Sequence, residues 1–147
     1  MPYADLQQFI AGLEREGELR RVRVEVDPVL EIAEIATRVV RDEGPALLFE
    51  RVKGSSSRLF SNGFGSMKRI ERAQGRHPGE VGRELIEFVE RINPPSLKPL
   101  WELRGTARRL LAGRLKRVSR GACQEVVEAP DLRALPVVQC WPDDGGR

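Results

Sequence analysis

Residues 19–26 read LRRVRVEV, residues 30–42 read LEIAEIATRVVRD and residues 46–52 read ALLFERV. Valines and charged residues alternate in the first stretch, which predicts a strand with one buried and one solvated face. The second stretch has apolar residues at helical spacing, and Gly44-Pro45 predicts its end. The third begins apolar enough for a central strand. Strand, helix and strand in this order predict a small layered α/β unit.

Further elements are predicted on both sides of this unit. A helix starts after Asp5, its expected N-cap, and ends before Gly17. The valines at 22, 24 and 26 are expected on one buried face of the first strand. The remaining predictions are a strand at 58–62, helices at 67–74 (capped by Ser66), 78–92 and about 100–111, and strands at 123–128 and 136–140. The last of these strands is expected to lead through Trp141-Pro142 into a tight turn.

This order predicts an α/β (α+β) fold in which a small mixed sheet carries packed helices. Strands resume near residue 121 and lack partners, so residues 1–120 are predicted to form one domain. Residues 121–147 are predicted to begin an incomplete β domain. The unpaired strand edges are expected to fold back on the first domain, to pair with a second copy in a homo-oligomer, or to lack order.

The composition is that of a water-soluble globular protein, with 40% hydrophobic and 32% charged residues. No stretch approaches the roughly 18 apolar residues that a membrane span needs. The N-terminus lacks the basic and apolar regions of a secretory signal, which predicts a cytoplasmic protein with reduced cysteines.

Gly63-Phe64-Gly65-Ser66, between a strand and a helix, is similar to a phosphate-binding loop. Lys68 and Arg69 follow it and would allow an anion contact. The loop lacks the third glycine of G-x-G-x-x-G and the Gly-Lys-Ser/Thr of a P-loop. A tight strand-to-helix turn is therefore the favoured interpretation, with anion binding as the alternative.

Residues 104–120 carry seven basic side chains and no acid. Nucleic acid or acidic lipid is one possible partner for such a segment. However, no aromatic residue lies among the charges, so base stacking has no platform. A solvated helix face, or a face that pairs with acids of another domain, is favoured.

No other pattern predicts an active site, and no residue is assigned a catalytic, cofactor-binding or metal-binding role. The residues considered and interpreted as surface charge, loop or inert thiols are Glu31, Glu34, Asp42, Glu43, Ser55, Ser56, Ser57, His77, Cys123 and Cys140. The cysteines do not form a Cys-x-x-Cys pair and the single histidine has no ligand-like neighbours, so a zinc site is not expected.

Taken in order, several motifs resemble the start of the UbiD family of decarboxylases. The resemblance extends over essentially the whole chain. The matching stretches are Asp5–Ile10, Gly17–Val22, Val26–Pro28, Glu31-Ile32, Glu34–Ala36, Gly44–Glu50, Asn62–Ser66 with Arg69, Cys123–Val127, Asp131-Leu132, Leu135-Pro136, Cys140–Asp143 and Gly145–Arg147.

The resemblance implies a non-oxidative decarboxylase of aromatic or α,β-unsaturated acids, a family that includes a step of ubiquinone biosynthesis. It implies prenylated FMN as cofactor, with a divalent metal and a monovalent cation. It also implies that residues 1–120 are the N-terminal α/β domain and that residues 121–147 are the first strands of a cofactor-binding split β-barrel.

The family's metal-binding Asn/His/Glu set and its Glu-Arg-Glu network would lie downstream of these motifs, so no position here inherits them. The expectation is a scaffold domain that is itself inactive, as a truncated piece or one half of a split enzyme. Two alternatives stay open. One is a free-standing basic binding module, and the other is a regulatory subunit that docks on a separate catalytic chain.

Overall fold

The computed structural model describes residues 3–92, 117–121 and 124–144, with isolated positions 105, 108, 111, 113 and 115 between them. The chain divides into two compact units. The first comprises Met1–Arg76 with Pro130–Arg147, and the second comprises His77–Ala129. The mixed sheet lies in the first unit.

Most of the predicted elements are confirmed. Within the described residues the structure has α1 Leu6–Arg15, β1 Leu19–Val26, α2 Glu31–Arg41, β2 Ala46–Val52, β3 Leu59–Ser61, α3 Met67–Gln74, α4 Pro78–Ile92 and a 3-10 turn Leu132–Ala134. Asp5 caps α1 by accepting a hydrogen bond from the amide of Gln8 (2.8 Å), and Ser66 caps α3. Both caps satisfy amides that the first turn of a helix leaves without partners.

The sheet has the order β1-β2-β3, with β2 at its centre. β1 and β2 are parallel and are joined through α2, whereas β3 returns antiparallel to β2. Parallel neighbours need such a crossover, while antiparallel neighbours need only a short connection. The mixed sheet with packed helices confirms the predicted α+β class.

The two faces of the sheet are covered by different helices. On one face, Phe9 and Leu13 of α1 pack with Ala46. On the other, Ile32 of α2 packs in a buried cluster that includes Phe49. β2 is therefore buried on both sides, as its apolar sequence predicts.

The predicted burial of Val24 is wrong. Its exposed fraction is 67%, whereas Val26 is only 2% exposed. The pairing of β1 with β2 shifts register between Val22 and Glu25. An extra residue at such a bulge interrupts the inside–outside alternation, so Val24 points to solvent at this edge strand.

The two predicted C-terminal strands are also wrong as strands. Gln124–Glu128 are not in a strand, and in the 136–140 segment only Gln139 forms a bridge, parallel to Val29. Strand residues need a neighbouring strand to satisfy their backbone groups, and in the described chain these segments have only the single bridge of Gln139. The second segment folds back on the sheet, one of the three outcomes expected.

The predicted helix at about 100–111 lies mostly outside the described residues, as does Cys123. Three described positions in that range, 105, 108 and 111, are helical. The 120/121 domain boundary stays a prediction.

Candidate functional site: the strand-to-helix turn and the segment 132–141

The glycine-containing loop at 63–66 connects β3 to α3 through a turn held by Asn62. This residue has a left-handed backbone (φ 56°), and its carbonyl accepts a hydrogen bond from the amide of Gly65 (3.3 Å). Its side-chain Nδ2 donates to the carbonyl oxygens of Gly44 (3.2 Å) and Pro45 (2.9 Å). The turn is thereby tied to the chain that enters β2.

The two cations after this loop are already paired. Arg69 is 1% exposed, and its Nη1 lies 3.1 Å from Glu18 Oε2 while Nη2 donates to Gly44 O (3.0 Å). Lys68 Nζ lies 2.6 Å from Glu18 Oε1. The hydrogen bond from Lys68, together with that from Arg69, lowers the pKa of Glu18. The Glu18 carboxylate thus pairs with both Lys68 and Arg69, the two cations that the sequence suggested could contact an anion.

The space above Gly65 is also filled. A Cβ atom placed on this glycine would overlap Asn62 Oδ1 and would lie 3.1 Å from Arg69 Nη2. Asn62 Oδ1 and Arg69 Nε are buried without a hydrogen-bond partner among the described residues. The glycine is required by this close approach of side chains from the same domain. This geometry supports the tight-turn interpretation.

The other residues named from the sequence do not converge on a site. Glu31, Glu34, Asp42, Glu43 and His77 are all exposed, as expected. Glu31 and Glu34 have local roles, because Glu31 Oε2 accepts from the amide of Asp27 (2.6 Å) and Glu34 pairs with Arg38 (2.7 Å). Cys140 is a free, exposed thiol. The contacts of Glu31 and Glu34 stabilise the start and the surface of α2.

Within the described residues, no group of three or more His, Cys, Asp and Glu side chains could hold a metal ion. The metal implied by the family resemblance therefore does not fit the residues described here, and no step is assigned to it. Among the described positions of the basic segment, Arg108, Arg117 and Arg120 are exposed. The remaining basic residues of 104–120 lie outside the described part.

A cavity of about 370 Å³ lies between the loop after β2 and the segment that carries the 3-10 turn. Lys53, Ser55 and Arg133 contribute its polar lining, and Leu135 and Val137 are among its apolar residues. Sequence reasoning did not identify this cavity. Ser55 was interpreted only as a loop residue, yet its Oγ donates to the carbonyl oxygen of Ala134 (2.7 Å), 79 positions away.

The chain turns sharply at Trp141, as predicted. Asp144 Oδ2 accepts hydrogen bonds from the amides of Cys140 (3.2 Å) and Trp141 (3.0 Å). Gln139 Nε2 donates to the carbonyls of Trp141 (3.1 Å) and Pro142 (3.2 Å). These contacts hold the turn while the indole remains 68% exposed.

None of the helices in the described part of the chain is both long and apolar enough to cross a membrane.

Residues 10–89 match the family model of the 3-octaprenyl-4-hydroxybenzoate carboxy-lyase N-terminal domain, UbiD_N. Among solved structures, the UbiD-class enzyme HmfF from Pelotomaculum thermopropionicum, in complex with FMN, is 39% identical with a TM-score of 0.45. That match covers 49% of this chain and 16% of HmfF.

Vanillic acid decarboxylase from Sedimentibacter hydroxybenzoicus in its open form is 34% identical with a TM-score of 0.48. This match covers 51% of the present chain and 17% of that one. The chain thus spans less than a fifth of either solved protein. The model of the family's N-terminal domain matches more than half of the sequence. The chain therefore belongs to the UbiD family.

Proposed function

We propose that this chain is the N-terminal scaffold domain of a UbiD-class non-oxidative decarboxylase of aromatic or α,β-unsaturated carboxylic acids. The observation that carries the proposal is the match of residues 10–89 to the carboxy-lyase N-terminal domain. In this proposal the domain supports the enzyme and supplies none of its catalytic residues.

The charges of the described sheet support a structural role. Arg21 lies 2.6 Å from Glu14 Oε1 and 2.7 Å from Glu50 Oε1, which links α1, β1 and β2. Glu18, directly before β1, is linked to Arg69 of α3 in the same way. General acid–base catalysis needs a titratable group that faces a substrate site. These groups instead face one another across the elements of the domain.

The cofactor belongs to the proposal for the whole enzyme. HmfF has been solved with FMN and, in an evolved dimeric form, with prFMN. We propose that prenylated FMN, a divalent metal and a monovalent cation bind to the catalytic portion, where the cofactor supplies the electron sink for decarboxylation. We further propose that residues 1–120 form the scaffold and that residues 121–147 begin the barrel.

The test is a flavin-binding and turnover assay on the purified chain. We expect no flavin absorbance after incubation with FMN or prenylated FMN and desalting. We expect no carbon dioxide from cinnamate when Mn²⁺, K⁺ and prenylated FMN are supplied. A UbiD-class decarboxylase taken through the same steps with its own acid is the positive control. A yellow preparation, or turnover by this chain alone, would contradict the proposal.

Binding experiments with the same purified chain distinguish the two alternatives, a basic binding module and a regulatory subunit. Binding to DNA or RNA that weakens steeply with salt would indicate a basic binding module, because released counterions make such binding salt-dependent. Co-purification with a separately encoded barrel-containing chain would indicate a regulatory subunit.

A further inference from the structure

We propose that the cavity between the loop after β2 and residues 132–137 binds a small monocarboxylate that has an apolar body. The proposal goes beyond the scaffold function and does not depend on it, because none of the roles described above uses this cavity. Both walls of the cavity belong to the same compact unit, which comprises Met1–Arg76 and Pro130–Arg147.

Hydrogen bonds hold the two walls of the cavity together. Ser55 Oγ donates to the carbonyl oxygen of Ala134 (2.7 Å) and accepts from the amide of Ser57 (3.1 Å). On the other side, the amide of Gln139 donates to the carbonyl oxygen of Pro28 (3.0 Å). Because the backbone of both walls is tied down, the cavity is formed before a ligand enters, as small-molecule sites usually are. Little conformational entropy would therefore be lost on binding.

The size and the lining of the cavity suit a ligand with an apolar body. Its volume of about 370 Å³ lies within the range of about 300–1,000 Å³ that is typical of small-molecule sites. The apolar lining residues are Pro28, Leu132, Leu135, Pro136 and Val137. Leu132, Leu135 and Val137 are each more than half exposed, so a hydrocarbon group that covers them removes apolar surface from water.

The charges of the lining specify an anion. Lys53 and Arg133 line the cavity, and the described residues that line it include no acid. Lys53 Nζ lies 2.8 Å from Asp27 Oδ2, so the charge of this lysine is compensated. Asp131 accepts from the backbone amide of Arg133 (3.0 Å), but the ion pairs between described residues do not include the Arg133 guanidinium. A guanidinium can donate two parallel hydrogen bonds to one carboxylate.

This balance of charge favours a carboxylate over other anions. A phosphate group carries up to two negative charges at neutral pH and takes several donors. A nucleic acid would need several phosphate-binding cations. A monocarboxylate carries one negative charge and is matched by the one guanidinium of Arg133. The apolar lining beside this guanidinium therefore indicates a monocarboxylate joined to a hydrocarbon group.

The test is an NMR titration of the nitrogen-15-labelled chain with 3-phenylpropionate. This acid has its carboxylate neither on the ring nor next to a double bond, so it lies outside the substrate class of the proposed decarboxylase. We expect saturable shifts of the amide signals of Gly54 and Val137, with a Kd on the order of 1 mM. The alcohol 3-phenyl-1-propanol lacks the carboxylate and propionate lacks the ring, and each should bind roughly fivefold more weakly or worse.

Two variants separate the contact with the carboxylate from the contact with the apolar body. Arg133→Gln should weaken the binding of 3-phenylpropionate about tenfold, because it removes charge-assisted hydrogen bonds. Val137→Asp should weaken it about tenfold or more, because it places a like charge in the apolar lining. Arg41→Gln is the matched control, since Arg41 is exposed at the end of α2 and does not line the cavity. It should bind as the wild type does.

Several results would overturn this ligand site. These are the absence of saturable shifts, shifts confined to residues outside the lining, equal binding of the alcohol, or wild-type affinity of Arg133→Gln. Circular dichroism of each variant checks that the fold is unchanged, and the exposed Arg133 keeps the test valid if Val137→Asp does not fold. Flavin binding or turnover by the chain would contradict the scaffold function instead, so the two failures have different readouts.

Discussion

The central strand β2 and the segment 132–141 differ in how far their apolar side chains are buried. Ala46, Leu47, Leu48 and Phe49 in β2 are each at most 4% exposed, because helices cover both sides of the sheet. Leu132, Leu135, Val137 and Trp141 belong to the same compact unit, yet each is more than half exposed. The strand contributes to the stability of the unit, whereas these four side chains contribute little to it.

The difference shows that backbone anchoring and side-chain burial are separate properties. Gln139 forms backbone hydrogen bonds with Pro28 and Leu30, as a strand residue would. Neighbouring Val137 nevertheless remains 53% exposed. Substitutions in β2 should therefore change the free energy of unfolding far more than substitutions at Val137 or Leu135.

The largest expected effect is at Phe49. Phe49→Ala would leave a cavity in the core and should lower the free energy of unfolding by about 3–5 kcal/mol. Leu135→Ala, at 54% exposure, should change it by no more than about 0.5 kcal/mol. Urea unfolding followed by circular dichroism measures both. Equal losses in the free energy of unfolding would show that Leu135 is part of the core.

The next effect is at Arg69. Arg69→Met removes hydrogen bonds to Glu18 and Gly44 from a buried position and should cost about 2–3 kcal/mol. Arg72→Met is the matched control, because Arg72 is 49% exposed and pairs with Glu16 on the surface. It should cost about 0–1 kcal/mol. A similar cost for both variants in urea unfolding would argue against the buried network.

Gly65 tests the packing of the strand-to-helix turn. Gly65→Ala would bring a Cβ atom onto the side chain of Asn62 and should destabilise the domain by about 1–3 kcal/mol. Gly82→Ala lies in α4 with open space around it and should instead favour the helix by about 0.5–1 kcal/mol. Thermal unfolding gives the sign of each change. A neutral Gly65→Ala would show that the turn has room for a ligand after all.

The smallest effect is the pH dependence at Glu18. Lys68 and Arg69 hold the pKa of Glu18 below its ordinary value of 4.5 in the folded chain. Its contribution to stability is therefore full above the unfolded pKa and is lost as the pH falls through the folded pKa. Glu18→Gln should be less stable than the wild type at pH 7 and should approach it as the pH falls through the folded pKa of Glu18.

Urea unfolding at a series of pH values from 7 downward measures how the stabilities of Glu18→Gln and the wild type converge. The exposed Glu43→Gln serves as control and should track the wild type throughout. A constant difference between Glu18→Gln and the wild type across this pH range would exclude the ion pairs as its cause.

Local sequence signals predicted the sheet unit well. Asp5 and Ser66 occur at the caps where their short polar side chains satisfy free amides. The apolar run in β2 indicated a strand buried on both faces. These features depend on residues that are close in sequence, so a single sequence is enough to predict them.

Features that depend on distant pairing were not predictable. The bulge that exposes Val24 follows from the register of β1 against β2. Arg69 was considered as a possible anion contact, and only the fold brings Glu18 and Gly44 around it. The apolar run that includes residues 136–140 predicted a strand because such a run does not report whether a partner strand exists.

The most direct test of the account is hydroxyl-radical footprinting of the purified chain. We predict that Leu132, Leu135 and Trp141, each more than half exposed, are oxidised readily. Phe49, which is fully buried in β2, should be protected. Protection of Leu132, Leu135 and Trp141, or ready oxidation of Phe49, would contradict the account.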